Sequence, residues 1–266
     1  MFCKVLMMNF KINLFFTGHD APLYCLVASP DGTEIFSGSW DNTVRRWSVQ
    51  TGQCLQVYRG HTNDVYCVAL LPNRDIVSGS SDFSIKIWSR LTGDCLHTLT
   101  GHTSLVFGLT VCPNGDVVSA SQDRSLRVWR AGNSSSDPYF CRQIIANAHS
   151  AAVWCITTVP GADDLITGGG RNDPTVKVWR RANASADYLC FETLAGHTGG
   201  VRSVAVMADG RIVSGSEDKN VKIWSLVTKS CVDTLMGHSG SVAGVAVLPY
   251  NELVSGSHDK TLKIWM

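Results

Sequence analysis

The sequence predicts an all-β fold of six similar four-stranded sheets that stack in a ring. The chain of 266 residues repeats one pattern six times, which is the first observation behind this prediction. Each copy consists of short alternating runs separated by turn residues, and no segment keeps the 3.6-residue period of an amphipathic helix. One sheet of this size cannot cover its own apolar face, so stacking in a ring buries each face against the next.

Each copy begins at a histidine and ends at a tryptophan, with an aspartate six residues before the tryptophan. The histidines are His19, His61, His102, His149, His197 and His238, and all but the fourth follow a glycine. The aspartates are Asp41, Asp82, Asp123, Asp173, Asp218 and Asp259. The tryptophans are Trp47, Trp88, Trp129, Trp179, Trp224 and Trp265. The copies span residues 18–58, 60–99, 101–145, 148–194, 196–235 and 237–266, and we expect residues 11–266 to form one domain.

Within a copy, the elements follow one order. An alternating run after the histidine, such as residues 201–206, predicts the first strand, and Pro-Asp-Gly at 30–32 predicts the turn that follows it. A second apolar run ends in Ser-Gly-Ser or a close variant, and the aspartate marks the next turn. The run that ends at the tryptophan predicts the third strand, and a fourth run carries a recurring cysteine, as in residues 230–235.

The Gly-His, Asp and Trp pattern resembles the WD40-repeat family over nearly the whole chain, which implies a single β-propeller of six four-stranded blades. The last copy stops at residue 266, at the end of its third strand. In the family an N-terminal strand commonly completes the last blade, and residues 11–16 are the candidate here, which leaves 1–10 as a leader. Seven is the family's commonest blade number, so a propeller with a missing blade is the alternative.

The repeated histidines, serines and aspartates allow a catalytic or a structural interpretation. His61, Ser78 and Asp82 are the residue types of a serine hydrolase, but the set recurs, whereas a catalytic centre is usually unique. The resemblance implies a structural hydrogen-bond chain that joins Asp, His, a hydroxyl and Trp. The serines four residues before the aspartates are Ser37, Ser78, Ser119, Ser214 and Ser255. The fourth copy has Gly169 there, with Thr167 as the candidate hydroxyl. We therefore predict no catalytic residue, no cofactor and no metal.

Composition narrows the function classes further. The formal net charge of +1 gives no support for a nucleic-acid partner, and no apolar run reaches the roughly 18–20 residues that a membrane helix needs. None of the ten cysteines forms a Cys-x-x-Cys pair, so we interpret them as small core residues in a reducing compartment, cytoplasmic or nuclear.

The resemblance also implies a binding platform, formed by the starts of the first strands and the turns between second and third strands. Three positions of each copy point there: three and five residues after the histidine, and one before the aspartate. The candidate binding residues are Tyr24, Trp40, Asp64, Tyr66, Leu105, Phe107, Trp154, Arg202, Glu217 and His258, and Asn172 takes the place before the aspartate in the fourth copy. Only Trp40 and Trp154 lie outside the repeated tryptophan position, and both fall on the platform.

Aromatic side chains with a few charges are typical of binding hot spots. We therefore predict that an extended peptide or a partner loop lies across the first four copies, with Arg202 near an acidic group of the partner. The alternative is that the rings pack between sheets or line the channel mouth. Under the binding interpretation, replacing Tyr66, Phe107 and Trp154 by alanine abolishes partner capture and leaves the melting temperature nearly unchanged.

The predicted function is a non-enzymatic protein-protein interaction scaffold or adaptor that binds a peptide or partner loop within a multiprotein complex. The alternative is a ubiquitin or substrate receptor subunit in a protein-turnover complex. Residues 53–63 are similar to one repeat of ubiquitin-binding propellers of the phospholipase-A2-activating type. Insertions at 131–139 and 181–187 lengthen the loops around the fourth copy and are further candidates for function.

Overall fold

The computed structural model describes residues 16–132, 138–248 and 251–266. The leader predicted at 1–10 lies outside these residues, as do all but the last residue of the closing strand predicted at 11–16 and most of the insertion at 131–139. The described part contains 23 β-strands and no α-helix, which confirms the predicted all-β class. It accordingly includes no helix that could span a membrane.

The described residues form two compact units that meet in the sequence between Ile144 and Ile145. Three antiparallel sheets belong to the first unit. The first sheet contains β1 (Leu23–Ala28), β2 (Glu34–Ser39), β3 (Val44–Ser48) and β4 (Cys54–Tyr58). The second contains β5 (Val65–Leu70), β6 (Ile76–Ser80), β7 (Ile85–Trp88) and β8 (Cys95–Leu99). The third contains β9 (Val106–Val111), β10 (Val117–Ser121), β11 (Leu126–Arg130) and β12 (Phe140–Ile145).

The second unit repeats this plan with three more sheets. The fourth sheet contains β13 (Val153–Thr158), β14 (Leu165–Gly169), β15 (Val176–Arg180) and β16 (Leu189–Leu194). The fifth contains β17 (Val201–Val206), β18 (Ile212–Ser216), β19 (Val221–Ser225) and β20 (Ser230–Leu235). The sixth contains β21 (Val242–Val247), β22 (Leu253–Ser257) and β23 (Leu262–Trp265) in the described residues. In every sheet, strands that follow each other in sequence pair side by side.

Small residues in the second strands let neighbouring sheets of a unit approach closely. A Cβ added at Gly38 in β2 would overlap Val65 of the next sheet, and one at Gly168 in β14 would overlap Val201. Interiors are packed without room for such an extra methyl group. The Ser-Gly-Ser pattern of the second strand therefore sets the spacing between sheets as well as the turn that follows.

Exposure along the fourth strands corrects one prediction from the sequence. Cys67 and Cys112 are buried, as expected of small core residues, but Cys54, Cys95 and Cys190 are exposed. These three lie near the starts of β4, β8 and β16, which pair with a neighbour on one side only. Their position on an outer strand, rather than their apolar neighbours in sequence, decides their exposure.

The sixth sheet differs from the others on one face. Leu262 and Ile264 are 77% and 41% exposed, whereas Val221 and Ile223, at the same spacing from their tryptophan, are 1% and 6% exposed. The fourth strand predicted for this sheet falls at residues 11–16, mostly outside the described residues. Within the described residues, this face of the sixth sheet is uncovered.

Candidate interaction surface

Each repeat contains a chain of three side-chain hydrogen bonds. In the second repeat the Trp88 indole donates to Ser78 Oγ at 2.8 Å, and Ser78 Oγ lies 2.8 Å from His61 Nε2. His61 Nδ1 lies 2.8 Å from Asp82 Oδ2. The other five repeats form the same chain, with Thr167 as the hydroxyl in the fourth: His19–Ser37–Asp41–Trp47, His102–Ser119–Asp123–Trp129, His149–Thr167–Asp173–Trp179, His197–Ser214–Asp218–Trp224 and His238–Ser255–Asp259–Trp265.

Only one arrangement of protons satisfies this chain when the histidine is neutral and the aspartate is ionised. An indole nitrogen can only donate, so the Ser78 hydroxyl accepts from Trp88 and donates to His61 Nε2. His61 then donates from Nδ1 to the Asp82 carboxylate. Ser78 is fully buried, so a substrate cannot reach its oxygen. The geometry therefore suits a hydrogen-bond network that fixes strand positions better than a nucleophile.

The fourth repeat contains a longer turn before its aspartate. In the other repeats the residue after the aspartate adopts a positive φ, as in Asn42 at 67°, but here Pro174 follows Asp173, and its ring excludes that conformation. Gly169 stands where the second repeat has Ser80, at the end of the second strand. A Cβ at Gly169 would lie 2.5 Å from His149 Nδ1. Thr167 supplies the hydroxyl, and Gly169 leaves room for the His149 ring. The hydrogen-bond chain is therefore retained although the turn holds two extra residues.

Burial and hydrogen bonding shift the pKa values of several groups in these chains. Burial lowers the pKa of His149 to about 4, against the raising effect of the Asp173 carboxylate. For Asp41, burial alone would raise the pKa, but hydrogen bonds from Thr43 and His19 outweigh it and lower the pKa to about 2. The carboxylates therefore stay ionised and His149 stays neutral at physiological pH.

Backbone hydrogen bonds bring the predicted platform positions together at one end of each sheet. The N–H before the aspartate donates to the carbonyl three residues after the histidine, as from Ser81 to Asp64 at 2.9 Å. The same bond joins Trp40 to Pro22, Gln122 to Leu105, Glu217 to Gly200 and His258 to Ser241. In the fourth repeat Gly170, not Asn172, donates to Ala152 at 2.8 Å. The two extra residues displace Asn172, so its assignment from the sequence was wrong.

Four rings of the first unit form a continuous row, which we call the aromatic row: Trp40, Tyr24, Tyr66 and Phe107. Tyr24 stacks on Trp40 with centroids 6.1 Å apart, and it meets Tyr66 edge to face at 4.5 Å. Tyr66 meets Phe107 edge to face at 5.2 Å. Tyr24 and Trp40 are 47% and 44% exposed, while Tyr66 and Phe107 are half-buried. The row crosses three sheets, and its Trp40 and Tyr24 end is the part most exposed to solvent.

The corresponding positions of the second unit form what we call the charged cluster: Trp154, Arg171, Arg202 and Glu217. The Arg202 guanidinium lies 5.0 Å from the Trp154 ring centroid and pairs with Glu217. Arg171, which is exposed, also pairs with Glu217 at 2.7 Å. Cβ atoms added at Gly170 or Gly200 would press on the Trp154 ring. For Trp154 the structure therefore favours the packing alternative, and Arg202 already has an acidic partner in its own chain.

The remaining predicted platform residues belong to neither the aromatic row nor the charged cluster. Asp64 and Leu105 are half-buried beside the aromatic row, and His258 is exposed on the sixth sheet. Sequence reasoning missed Arg171 and Gly170. The histidine-to-tryptophan spacing of 30 residues in the fourth repeat, against 27 or 28 elsewhere, is the signal that could have located the insertion.

Comparison with known proteins identifies the repeats. The family model for the WD domain, G-beta repeat, matches residues 10–48, 52–89, 93–130, 141–180, 189–225 and 229–266. WD repeat-containing protein 86 from Homo sapiens is 48% identical over 196 residues, which cover 72% of this chain and 51% of that protein. Cell division control protein 4 from Saccharomyces cerevisiae is 29% identical over 219 residues, which cover 82% of this chain and 24% of that protein.

A solved structure agrees with these matches. The structure of U3-55K matches with a TM-score of 0.81 and 28% sequence identity, over 94% of this chain and 79% of that one. This likeness shows a six-bladed β-propeller fold, as predicted. The chain spans about half the length of the human relative and a smaller share of the yeast one.

Proposed function

Because the chain belongs to the WD40-repeat family, whose propellers are generally non-catalytic scaffolds for protein interactions, we propose that it is a non-enzymatic adaptor with the aromatic row as its docking surface. The partner is a peptide or an extended loop of another protein within a multiprotein complex. Cys54, Cys95 and Cys190 are exposed free thiols, which is in keeping with a reducing compartment, so the proposed location is the cytosol or the nucleus.

The observation that carries this proposal is the exposure of Tyr24 and Trp40, at 47% and 44%. Neither ring belongs to a hydrogen-bond chain, and each is large enough to anchor a partner. Rigid aromatic side chains bury much area at little cost in conformational entropy, which is why they dominate interaction hot spots. The charged cluster is a weaker candidate because its charges are already paired with one another.

A selection with randomised peptides tests the proposal without knowledge of the partner. Linear peptides displayed on phage are selected on the wild-type protein, and their affinities are measured by fluorescence polarisation. We expect the double variant Tyr24→Ala/Trp40→Ala to weaken selected peptides at least about tenfold, since two anchors of the kind found in hot spots are lost. Phe140→Ala removes a ring that is 50% exposed on the outer strand β12 and serves as the matched control.

Two results would contradict the proposal. The first is a set of selected peptides that bind the double variant as tightly as the wild type. The second is a selection that returns no peptide for the wild-type protein. Equal melting temperatures for the two variants and the wild type establish that any loss of binding reflects the surface and not the fold.

The ubiquitin or substrate receptor stays a prediction from residues 53–63. No contact within the described residues favours it over a general adaptor.

A further inference from the structure

One carboxylate stands alone among the platform positions of the first unit. The nine positions of its three repeats are Pro22, Tyr24, Trp40, Asp64, Tyr66, Ser81, Leu105, Phe107 and Gln122, and Asp64 is the only charged residue among them. The Asp64 carboxylate forms no ion pair with any residue that the structure describes. A partner that docks on the aromatic row therefore meets one fixed negative charge.

Local geometry places this charge beside the rings. The Ser81 N–H donates to the Asp64 carbonyl at 2.9 Å, which continues the strand pairing one residue before β5 begins. Val65 between them is buried, whereas Asp64 and Tyr66 are half-buried, so both side chains lie away from the core at the point where a bulge interrupts the pairing of β5 with β6. Burial raises the pKa of Tyr66, and the nearby Asp64 charge adds to this. Tyr24, 4.5 Å from Tyr66 by ring centroids, completes the group.

The charged cluster of the second unit is an internal example of a ring and a carboxylate that share one guanidinium. There the Trp154 ring, five residues after its histidine, faces the Arg202 guanidinium, and that guanidinium pairs with the Glu217 carboxylate. A ring, a guanidinium and a carboxylate satisfy one another within the chain. In the first unit, rings and a carboxylate are present, but no described cation faces any ring of the aromatic row.

We propose that the rings of Tyr24 and Tyr66 together with the Asp64 carboxylate bind the guanidinium of an arginine side chain in the docked peptide. This inference rests on the proposed function, because it names the chemistry of the peptide at that same surface. The planar guanidinium stacks on a ring while its edge pairs with a carboxylate, whereas the ammonium of lysine is a compact and more strongly hydrated charge. An arginine is therefore preferred over lysine at this point of the peptide.

The test uses positional libraries of acetylated hexapeptides in which one position holds arginine, citrulline or lysine and the others are mixed. Citrulline keeps the shape of arginine and removes its charge. Binding to the wild-type protein is measured through competition with a labelled peptide from the phage selection. We expect arginine mixtures to compete about tenfold more strongly than citrulline mixtures, the size of one cation–π contact with an ion pair, and more strongly than lysine mixtures.

Matched protein variants assign the effect to Asp64. Asp64→Asn keeps the shape and removes the charge, and Asp94→Asn makes the same change at an exposed residue before β8. We expect Asp64→Asn to abolish the preference of arginine over citrulline and Asp94→Asn to leave it intact. Equal competition by arginine and citrulline, or a preference that survives Asp64→Asn, would overturn the arginine proposal.

The outcomes separate the two proposals. If Tyr24→Ala/Trp40→Ala abolishes peptide binding but arginine and citrulline compete equally, the docking surface stands and the arginine site falls. If peptides bind the double variant unchanged, the proposed docking surface itself falls. A preference for lysine over arginine would also overturn the proposal, because it indicates a simple charge attraction without stacking.

Discussion

In the first unit the positions five residues after each histidine hold Tyr24, Tyr66 and Phe107, whereas in the second unit they begin with Trp154 and Arg202. In both units the same backbone hydrogen bond joins the turn to the residue two before these positions. The two units differ in whether the ring and charged side chains on the platform contact and pair with one another. Arg202 lies over the Trp154 ring and pairs with Glu217, whereas no cation among the described residues lies over a ring of the aromatic row or pairs with Asp64. The same repeat pattern therefore carries one surface whose charges pair within the chain and another whose Asp64 carboxylate has no ion pair among the described residues.

The largest expected effect that separates the two surfaces comes from Trp154→Ala. Because Gly170 and Gly200 lie so close to this ring that an added Cβ would collide with it, its removal leaves a cavity, and we expect the free energy of unfolding to fall by about 3 kcal/mol. The double variant Tyr24→Ala/Trp40→Ala removes more exposed rings, so its cost should stay below about 1 kcal/mol. Urea denaturation followed by circular dichroism measures both. Equal losses would mean that the aromatic row also acts as packing.

The hydrogen-bond chains should be equivalent in both units. Asp82→Ala and Asp218→Ala each remove the acceptor of a buried histidine, held at 2.8 Å and 2.6 Å, and we expect each to cost about 1–3 kcal/mol. Asp94→Ala, at an exposed site, is the control and should cost little. Calorimetric melting of the three variants tests this. A large difference between Asp82→Ala and Asp218→Ala would show that the two units differ beyond their surfaces.

The fourth repeat, in the second unit, should make stability sensitive to acid. The pKa of His149 lies at about 4 in the folded protein against 6.5 for an unperturbed histidine, so the unfolded chain binds a proton first as the pH falls. The stabilising effect is therefore complete above about pH 6.5 and declines toward pH 4. Between pH 6.5 and 5 we expect a loss of up to about 2 kcal/mol. Titration of the His149 ring by NMR measures the pKa directly, and a value near 6.5 would contradict this expectation.

The smallest expected effect is the change in stability when the carboxylate of Glu217 or of Asp64 is removed. Glu217→Gln breaks two ion pairs with Arg171 and Arg202, which hold the pKa of Glu217 below its usual range although burial acts in the opposite direction. We expect a loss of about 1 kcal/mol that shrinks at high salt. Asp64→Asn breaks no ion pair within the described residues and should leave stability unchanged. Thermal melting at low and high salt measures both, and a loss for Asp64→Asn would reveal an internal role for that carboxylate.

The sequence was sufficient for the repeats, the strand order and the four members of each hydrogen-bond chain, because these recur at fixed spacing. Thr167 could be chosen from the sequence because it is the only hydroxyl residue in the apolar run 165–169. Asn172 was assigned wrongly, since counting back from Asp173 cannot tell on which side of the turn two extra residues lie. The partners of Arg202 and Trp154 come from neighbouring sheets and strands, and spacing within one repeat carries no information about them.

The exposed thiols show the same limit. Cys54 and Cys95 sit in apolar runs that look like core strands, yet they lie on outer strands where one side faces solvent. Hydrophobic neighbours in sequence predict a strand, whereas the position of that strand in the sheet decides exposure.

The tight fit around Trp154 bears on how missense changes in this protein should be read. Gly200 belongs to no signature position, and the equivalent residues Asp64 and Leu105 show that other repeats accept large side chains there. At Gly200, however, any side chain would collide with the indole of Trp154. A profile of the repeat would score such a change as benign, but the local geometry ranks it with loss of a signature residue.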